Sequence, residues 1–192
     1  MAGKEKLGTL LRKMSERSKK KLTANKAVAQ ILLKSIRKNF REGGRPKKWK
    51  PSSRVGSGHK TLIGTSLLMK SIQSFANTKF ARISTNKIYA PIHHYGGIIR
   101  PKNAKKLTIP IGLTKNERRR GMKARDFENT FVRKSKAGNL LIFQIQETKI
   151  RPLFLLVDKV KIPKRPFMMW QKQDVEDAKE IYANWLLKGT VK

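Results

Sequence analysis

Tyr89-Ala-Pro-Ile-His-His-Tyr-Gly-Gly-Ile-Ile-Arg-Pro101 is the stretch from which the rest of the chain can be read. It gathers aromatic, imidazole, double-glycine and proline signals between segments of strand-like pattern. Gly96 and Gly97 can adopt positive φ without a Cβ clash and so mark a tight turn or bulge. Pro91 and Pro101 remove a backbone donor on either side, which confines the flanks to sheet edges or strand ends. The segment is therefore expected to be a kink in a β-sheet, a shaped corner and not a catalytic centre. Adjacent strand residues point to opposite faces, so His93 and His94 cannot readily converge on one metal.

Upstream, the alternating segments Lys79-Phe-Ala-Arg-Ile-Ser84 and Asn86-Lys-Ile-Tyr-Ala90 predict a hairpin leading into the sheet. Before them, Leu67, Leu68, Ser71, Ile72 and Phe75 suggest a short helix capped by Thr65 or Ser66. The Gly, Pro and Ser content of 43–60 predicts a loop, pinned to the body by Trp49. Val28, Ile31, Leu32, Ile36 and Phe40 form the stripe of a core-facing helix that Asn25 could cap and Gly43-Gly44 could stop. Leu7, Leu10, Leu11 and Met14 predict an earlier helix that frays where Arg17-Ser-Lys-Lys-Lys21 crowds like charges.

Downstream, Leu107-Thr-Ile-Pro-Ile111 reads as a strand, and Pro110 places it at an edge or terminus. Lys115 to Arg125 reads as a basic loop. Asn129 to Lys134 and Asn139 to Gln146 predict a second hairpin, and Ile150 to Val157 a further strand. A helix follows from about Gln173 to Lys188, with Val175, Ala178, Ile181, Tyr182, Trp185 and Leu186 on its apolar face and Asp174, Glu176 and Asp177 favouring the dipole at its start. The order implies an α+β fold, a mostly antiparallel sheet with helices packed on one face. A basic helical extension is expected over 1–24, a single domain over 25–188 with a basic loop or arm at 113–136, and a short tail over 189–192.

Within the 192 residues, 46 Lys and Arg face 12 Asp and Glu, a formal charge of +34. A polyanion or a strongly acidic partner is the natural counterweight. No cysteine is present, which excludes disulfides, thiolate metal sites and a thiol nucleophile. Apolar runs such as Leu153-Phe-Leu-Leu-Val157 are far shorter than a membrane helix, and no secretory apolar core opens the sequence, so a soluble protein of the cytoplasm or of an assembly built there is expected. His59 lies in the 43–60 loop without metal-ligand spacing, no Gly-x-Ser-x-Gly elbow exists, and the Gly-rich 54–58 segment lacks phosphate-loop spacing. Carboxylates cluster only at Asp126/Glu128 and Asp174/Glu176/Asp177, too few for a two-metal nuclease. What remains is basic: clusters at 17–21, 45–50, 100–106 and 118–125, suited to sequence-independent contact with phosphates or with acidic protein surface.

Five motifs in order carry a further signal. They are Phe40-x-x-Gly-Gly-Arg-Pro-x-x-Trp49-x-Pro51, Leu67-x-x-x-Ser71-Ile72, Tyr89-Ala-x-Ile-His93-His-Tyr-Gly-Gly97, Leu107-x-Ile-Pro110, and Ile162-Pro-x-Arg-Pro-Phe167 with its trailing acidic helix. Together, over about residues 25 to 188, they resemble the virion morphogenesis or tail-completion proteins of tailed phages, the Mu protein G type. The basic residues before 25, the 115–125 segment and His94, where a glutamine-like residue is expected, are departures. The resemblance implies a non-enzymatic neck or tail-end protein without cofactor, resident in the virion at the head–tail junction and in the host cytoplasm during assembly. It implies a self-associated ring, possibly a hexamer, touching neck, connector or tail-tube proteins and, without sequence preference, genomic DNA in the channel; no membrane is involved. Candidate DNA- or partner-facing residues are Arg118, Arg119, Arg120, Lys123, Arg125, Arg100, Lys102, Lys105 and Lys106. Tyr89, His93, Gly96, Gly97, Pro163, Arg165 and Pro166 would shape the corner, and Trp49, Tyr89, Tyr95, Phe143, Phe167 and Trp185 would anchor the fold. A stand-alone, sequence-nonspecific nucleic-acid-binding protein is the alternative.

Overall fold

The computed structural model describes residues 2–52, 60–147 and 149–191. The fold is α+β, and the chain divides into two compact units, one comprising Met1–Gly96 and Pro163–Lys192, the other Gly97–Ile162. The second is thus a continuous insertion into the first, with both boundaries beside the glycine and proline corners. Among the described residues the strands form three antiparallel sheets where one was expected.

The first unit is built on the helix α2, Leu22–Glu42, whose predicted stripe is buried at Val28, Leu32, Ile36 and Phe40. Gly43, at φ 70°, ends it. Asn25 is not its cap. It lies buried inside the first turns, donating from Nδ2 to the Asn77 carbonyl at 2.6 Å and accepting the Tyr182 hydroxyl at 2.6 Å. A preceding helix, α1, spans Ala2–Lys19 and does not fray at its basic end. Arg17 donates to the Leu186 and Leu187 carbonyls, and the Trp185 indole donates to the Arg17 carbonyl. Those acceptors are last-turn carbonyls of the final helix, Lys172–Lys188, where a cation offsets the dipole.

The expected helix over 66–75 is a single turn, α3, Leu67–Lys70, followed by the strand β1, Ile72–Ala76. Ile72 points inward and Phe75 outward, a period of two that won over the helical spacing. β1 pairs with β2, Ala81–Thr85, in the register Ile72↔Thr85 to Ala76↔Ala81, and α2 packs on both strands. The hairpin therefore lies one strand earlier than predicted, and the stretch after it is helical: α4 spans Ala90–Tyr95, with Pro91 in its first turn. Pro91 starts a helix because its missing N–H would be unpaired there in any case. Leu33, Ile36, Phe40, Trp49, Leu68, Ile72, Ala90 and Phe167 form one core; Ala24, Val28, Leu32 and Ile181 form another, against α6, the Lys172–Lys188 helix.

The second unit opens with β3, Gly97–Ile99, paired to β8, Val160–Ile162. Its main sheet has the order β4–β7–β6–β5, formed by Leu107–Pro110, Lys149–Val157, Leu140–Gln146 and Thr130–Lys134. Pro110 is on the edge strand, where a missing donor costs no ladder bond. The predicted loop over 115–125 is instead a capped helix, α5, Lys115–Arg120, then a 3₁₀ turn at Ala124–Asp126. The signal was Thr114 with Glu117 three residues on: Thr114 Oγ1 accepts from the Glu117 N–H, and a Glu117 carboxylate oxygen accepts from the Thr114 N–H. A bulge at Leu153 turns both Leu153 and Phe154 inward, and the Leu153 carbonyl accepts from the Ile111 and Gly112 N–H groups. Gly112 is obligatory there, since a Cβ would sit 1.7 Å from the Pro152 carbonyl oxygen.

One face of this sheet packs Ile142 and Phe154 on Leu113 and Phe127. The register places Leu107, Ile109, Phe131, Leu141, Phe143, Ile145, Ile150, Pro152, Leu155 and Val157 on the other. None of these ten side chains is buried.

Candidate interaction surfaces

The corner is built by two segments of the first unit meeting across the sequence. Gly96, at φ 75° and ψ −179°, leaves α4 in a conformation that side chains resist. The His93 carbonyl accepts from the Arg165 N–H at 3.0 Å, so the residues around Pro163 and Pro166 are tied to the end of α4. Arg165 is buried, donating from Nε to the Lys50 carbonyl at 3.0 Å and from its guanidinium to that of Pro51. Its cation holds the 43–52 segment and is not presented to a partner. Tyr89 stands edge-on to His93, with ring centroids 6.0 Å apart. Tyr89 and Tyr95 were expected as buried anchors, yet they are 42% and 71% exposed; Trp49 and Phe167 are buried against Phe40.

The two histidines are neighbours on a helix, not on a strand. His94 Nδ1 accepts from the Met168 N–H, and its ring lies edge-on to Phe167. Burial, then the charge of Lys164, lowers its pKa; burial, then Arg165, lowers that of His93. Both therefore favour the neutral form. Among the described residues no group of His, Cys, Asp or Glu could hold a metal ion; His59 and the 54–58 segment lie outside them.

Several basic residues turn out to be structural. Arg45, from the 45–50 cluster, donates to Asn39 Oδ1 at 2.8 Å and to both the carbonyl and the hydroxyl of Ser35 at 2.7 Å. Ser35 in turn donates to Asp174 Oδ2 at 2.6 Å, and Asn39 Nδ2 donates to the Phe167 and Met169 carbonyls. This polar network fastens the chain before α6 onto α2. Asp174 was read only as a dipole partner, and nothing in its spacing announces Ser35. In the second unit, Arg151 holds Glu117 at 2.7 Å and Gln144 at 2.8 Å while lying over the Phe127 ring. The Arg151 hydrogen bond is the largest cause lowering the Glu117 pKa.

Of the nine candidate cations, Lys106 is engaged by Asp158 at 2.6 Å, and Arg118 bends back on the Leu113 and Ile111 carbonyls. Arg119 and Arg120 flank Asn116 on exposed α5, and Lys123, Arg125, Arg100, Lys102 and Lys105 are exposed. All nine belong to the second unit.

A family model described as the phage virion morphogenesis family matches residues 3–125. The chain belongs to that family. The match takes in α1 and the 115–125 segment, so neither is foreign to the family, while the Ile162–Phe167 motif lies beyond it. Mu-like prophage FluMu G protein 2 of Haemophilus influenzae is 29% identical over 106 residues, 55% of this chain and 73% of that relative. No solved structure matches. Family membership assigns the protein a structural role in phage assembly and an association with the virion. No helix among the described residues is long and apolar enough to cross a membrane.

Proposed function

We propose that this protein completes the tail or neck of a tailed phage and joins tail to head, as a ring of copies around the DNA channel and without catalysis. Membership of the virion morphogenesis family is the observation that carries the reading. The charge of +34 supports it, since copies so charged need an acidic surface or DNA beside them. The exposed cations of the second unit, Arg119, Arg120, Lys123 and Arg125, are the ones to face the channel or an adjoining ring. Neck, connector or tail-tube proteins are the neighbours, met in the host cytoplasm before the virion closes.

Replacing these four residues with Ser leaves the fold intact and lowers the yield of joined, DNA-retaining particles, scored by electron microscopy and titre. Unchanged particles reject the channel-facing role. The same charge favours a second reading, non-specific nucleic-acid binding by the free chain. A steep fall of duplex affinity with salt, together with absence of the chain from purified virions, would establish that reading instead.

A further inference from the structure

A cavity of about 310 Å³ lies wholly within the first unit, where the end of β2, α4 and the chain after Pro166 meet. Its size is that of a binding pocket. Tyr95, Phe167 and Met168 give it apolar walls, and Thr85, Lys87 and His94 supply its polar groups. Thr85 is already engaged, its hydroxyl paired with that of Ser71 at 2.7 Å and accepting from the Lys87 N–H. His94 Nδ1 is engaged as well, accepting from the Met168 N–H, so the proton of the neutral ring sits on Nε2. That leaves two donors at the cavity, the His94 Nε2–H and the Lys87 ammonium, which have no partner among the described residues.

We propose that this cavity docks an acidic peptide segment of a neighbouring virion protein, with an apolar side chain against Tyr95 and Phe167 and a carboxylate taken by Lys87 and His94. Charge selects the occupant. No Asp or Glu is among the lining residues, and the charges acting on His93 and His94 are the cations Arg165 and Lys164. Two open donors without a carboxylate of their own suit a group that only accepts, and an ionised carboxyl is that group in proteins. The apolar walls ask for a side chain to bury, which a phosphate backbone does not carry. The occupant is a different protein, since a copy with 46 Lys and Arg to 12 Asp and Glu repels this one. Ile88, next to Lys87, is 98% exposed, and Tyr95 is largely exposed, so apolar anchors of the kind that partners cover adjoin the charged groups. The inference deepens the assembly reading by naming the partner's chemistry, and rests on it.

The probe is a blocked hexapeptide with one leucine flanked by glutamates, titrated into the isotope-labelled full chain and followed by amide chemical shifts. Salt of about 0.3 M screens attraction between exposed charges. Shifts are expected from Thr85 to Tyr95 and at Phe167 and Met168. Replacing the leucine by serine, or the glutamates by glutamines, should weaken binding at least about tenfold, as should Lys87→Gln combined with His94→Gln. The peptide changes leave the protein untouched, so their effect is free of any folding defect. Shifts confined to the exposed cations of the second unit, or an affinity indifferent to the leucine, overturn the proposal as charge attraction alone. N-acetyl-leucine bound as tightly as the hexapeptide overturns it in favour of a small carboxylate. If the hexapeptide fails while purified virions contain the chain, the docking chemistry is wrong and the function stands; absence from virions rejects the function separately.

Discussion

The two units solve opposite problems with one charge-rich chain. In the first, α2 is enclosed by the β1–β2 hairpin and α6, and Ser35, Asn39, Arg45 and Asp174 satisfy one another at its buried flank. In the second, a four-stranded sheet has a core on one face, formed by Leu113, Phe127, Ile142, Leu153 and Phe154, and leaves the other unburied. An antiparallel sheet can keep one face packed on a core and the other toward water. The first unit holds the two cores around α2, and the second holds both the half-exposed sheet face and the nine candidate cations.

The largest expected effect that tests this contrast is in the closed unit. Phe40 is fully buried between Trp49 and Phe167, so Phe40→Ala should cost about 3–5 kcal/mol, measured by urea unfolding. A loss below about 1 kcal/mol would show that this core is not the body of the fold.

A paired comparison within the second unit separates its two faces. Ile142→Ala, on the packed face, should cost about 2–4 kcal/mol in the isolated chain, whereas Ile150→Ala, 60% exposed, should change stability by no more than about 0.5 kcal/mol. Equal losses would mean that the second face is already covered in the free chain.

The smallest effect is a difference in pH response. All three histidines fall in the first unit's stretches of sequence. His93 and His94 have folded pKa values below the ordinary 6.5, so their neutral forms favour the native state above that pH. That stabilisation is lost as pH falls from 6.5 through the folded values. Glu117 has a folded pKa below 4.5, so the second unit keeps its carboxylate contribution until pH drops below that range. Hydrogen exchange followed from pH 7.5 downward should show the first unit loosening before the second. The reverse order would contradict the lowered imidazole values, and His94→Gln should flatten the first unit's response.

Much of this was legible before any coordinates. The stripe of α2, the stop at Gly43, the 129–146 hairpin, the edge position of Pro110 and the C-terminal helix all follow from periodicity and backbone chemistry acting over a few residues. The failures share a cause. Ile72 to Phe75 satisfies helical and strand spacing alike, and only pairing with Ala81–Thr85 decides between them. Pro91 fits a strand end or a first helical turn, and the Thr114–Glu117 cap was hidden by the basic residues around it.

By itself, then, the sequence determined the α+β class, the excess of cation, the lack of thiol chemistry and the phage morphogenesis motifs, because each depends on residue identity and local spacing. Only the tertiary structure decided which cations are tied down, as Arg17, Arg45, Arg118, Arg151 and Arg165 are, and which side of a strand remains open. A guanidinium reads the same in sequence whether its carbonyl acceptors lie five residues or 115 residues away, as for Arg118 and Arg165, and a strand does not announce whether anything covers its second face.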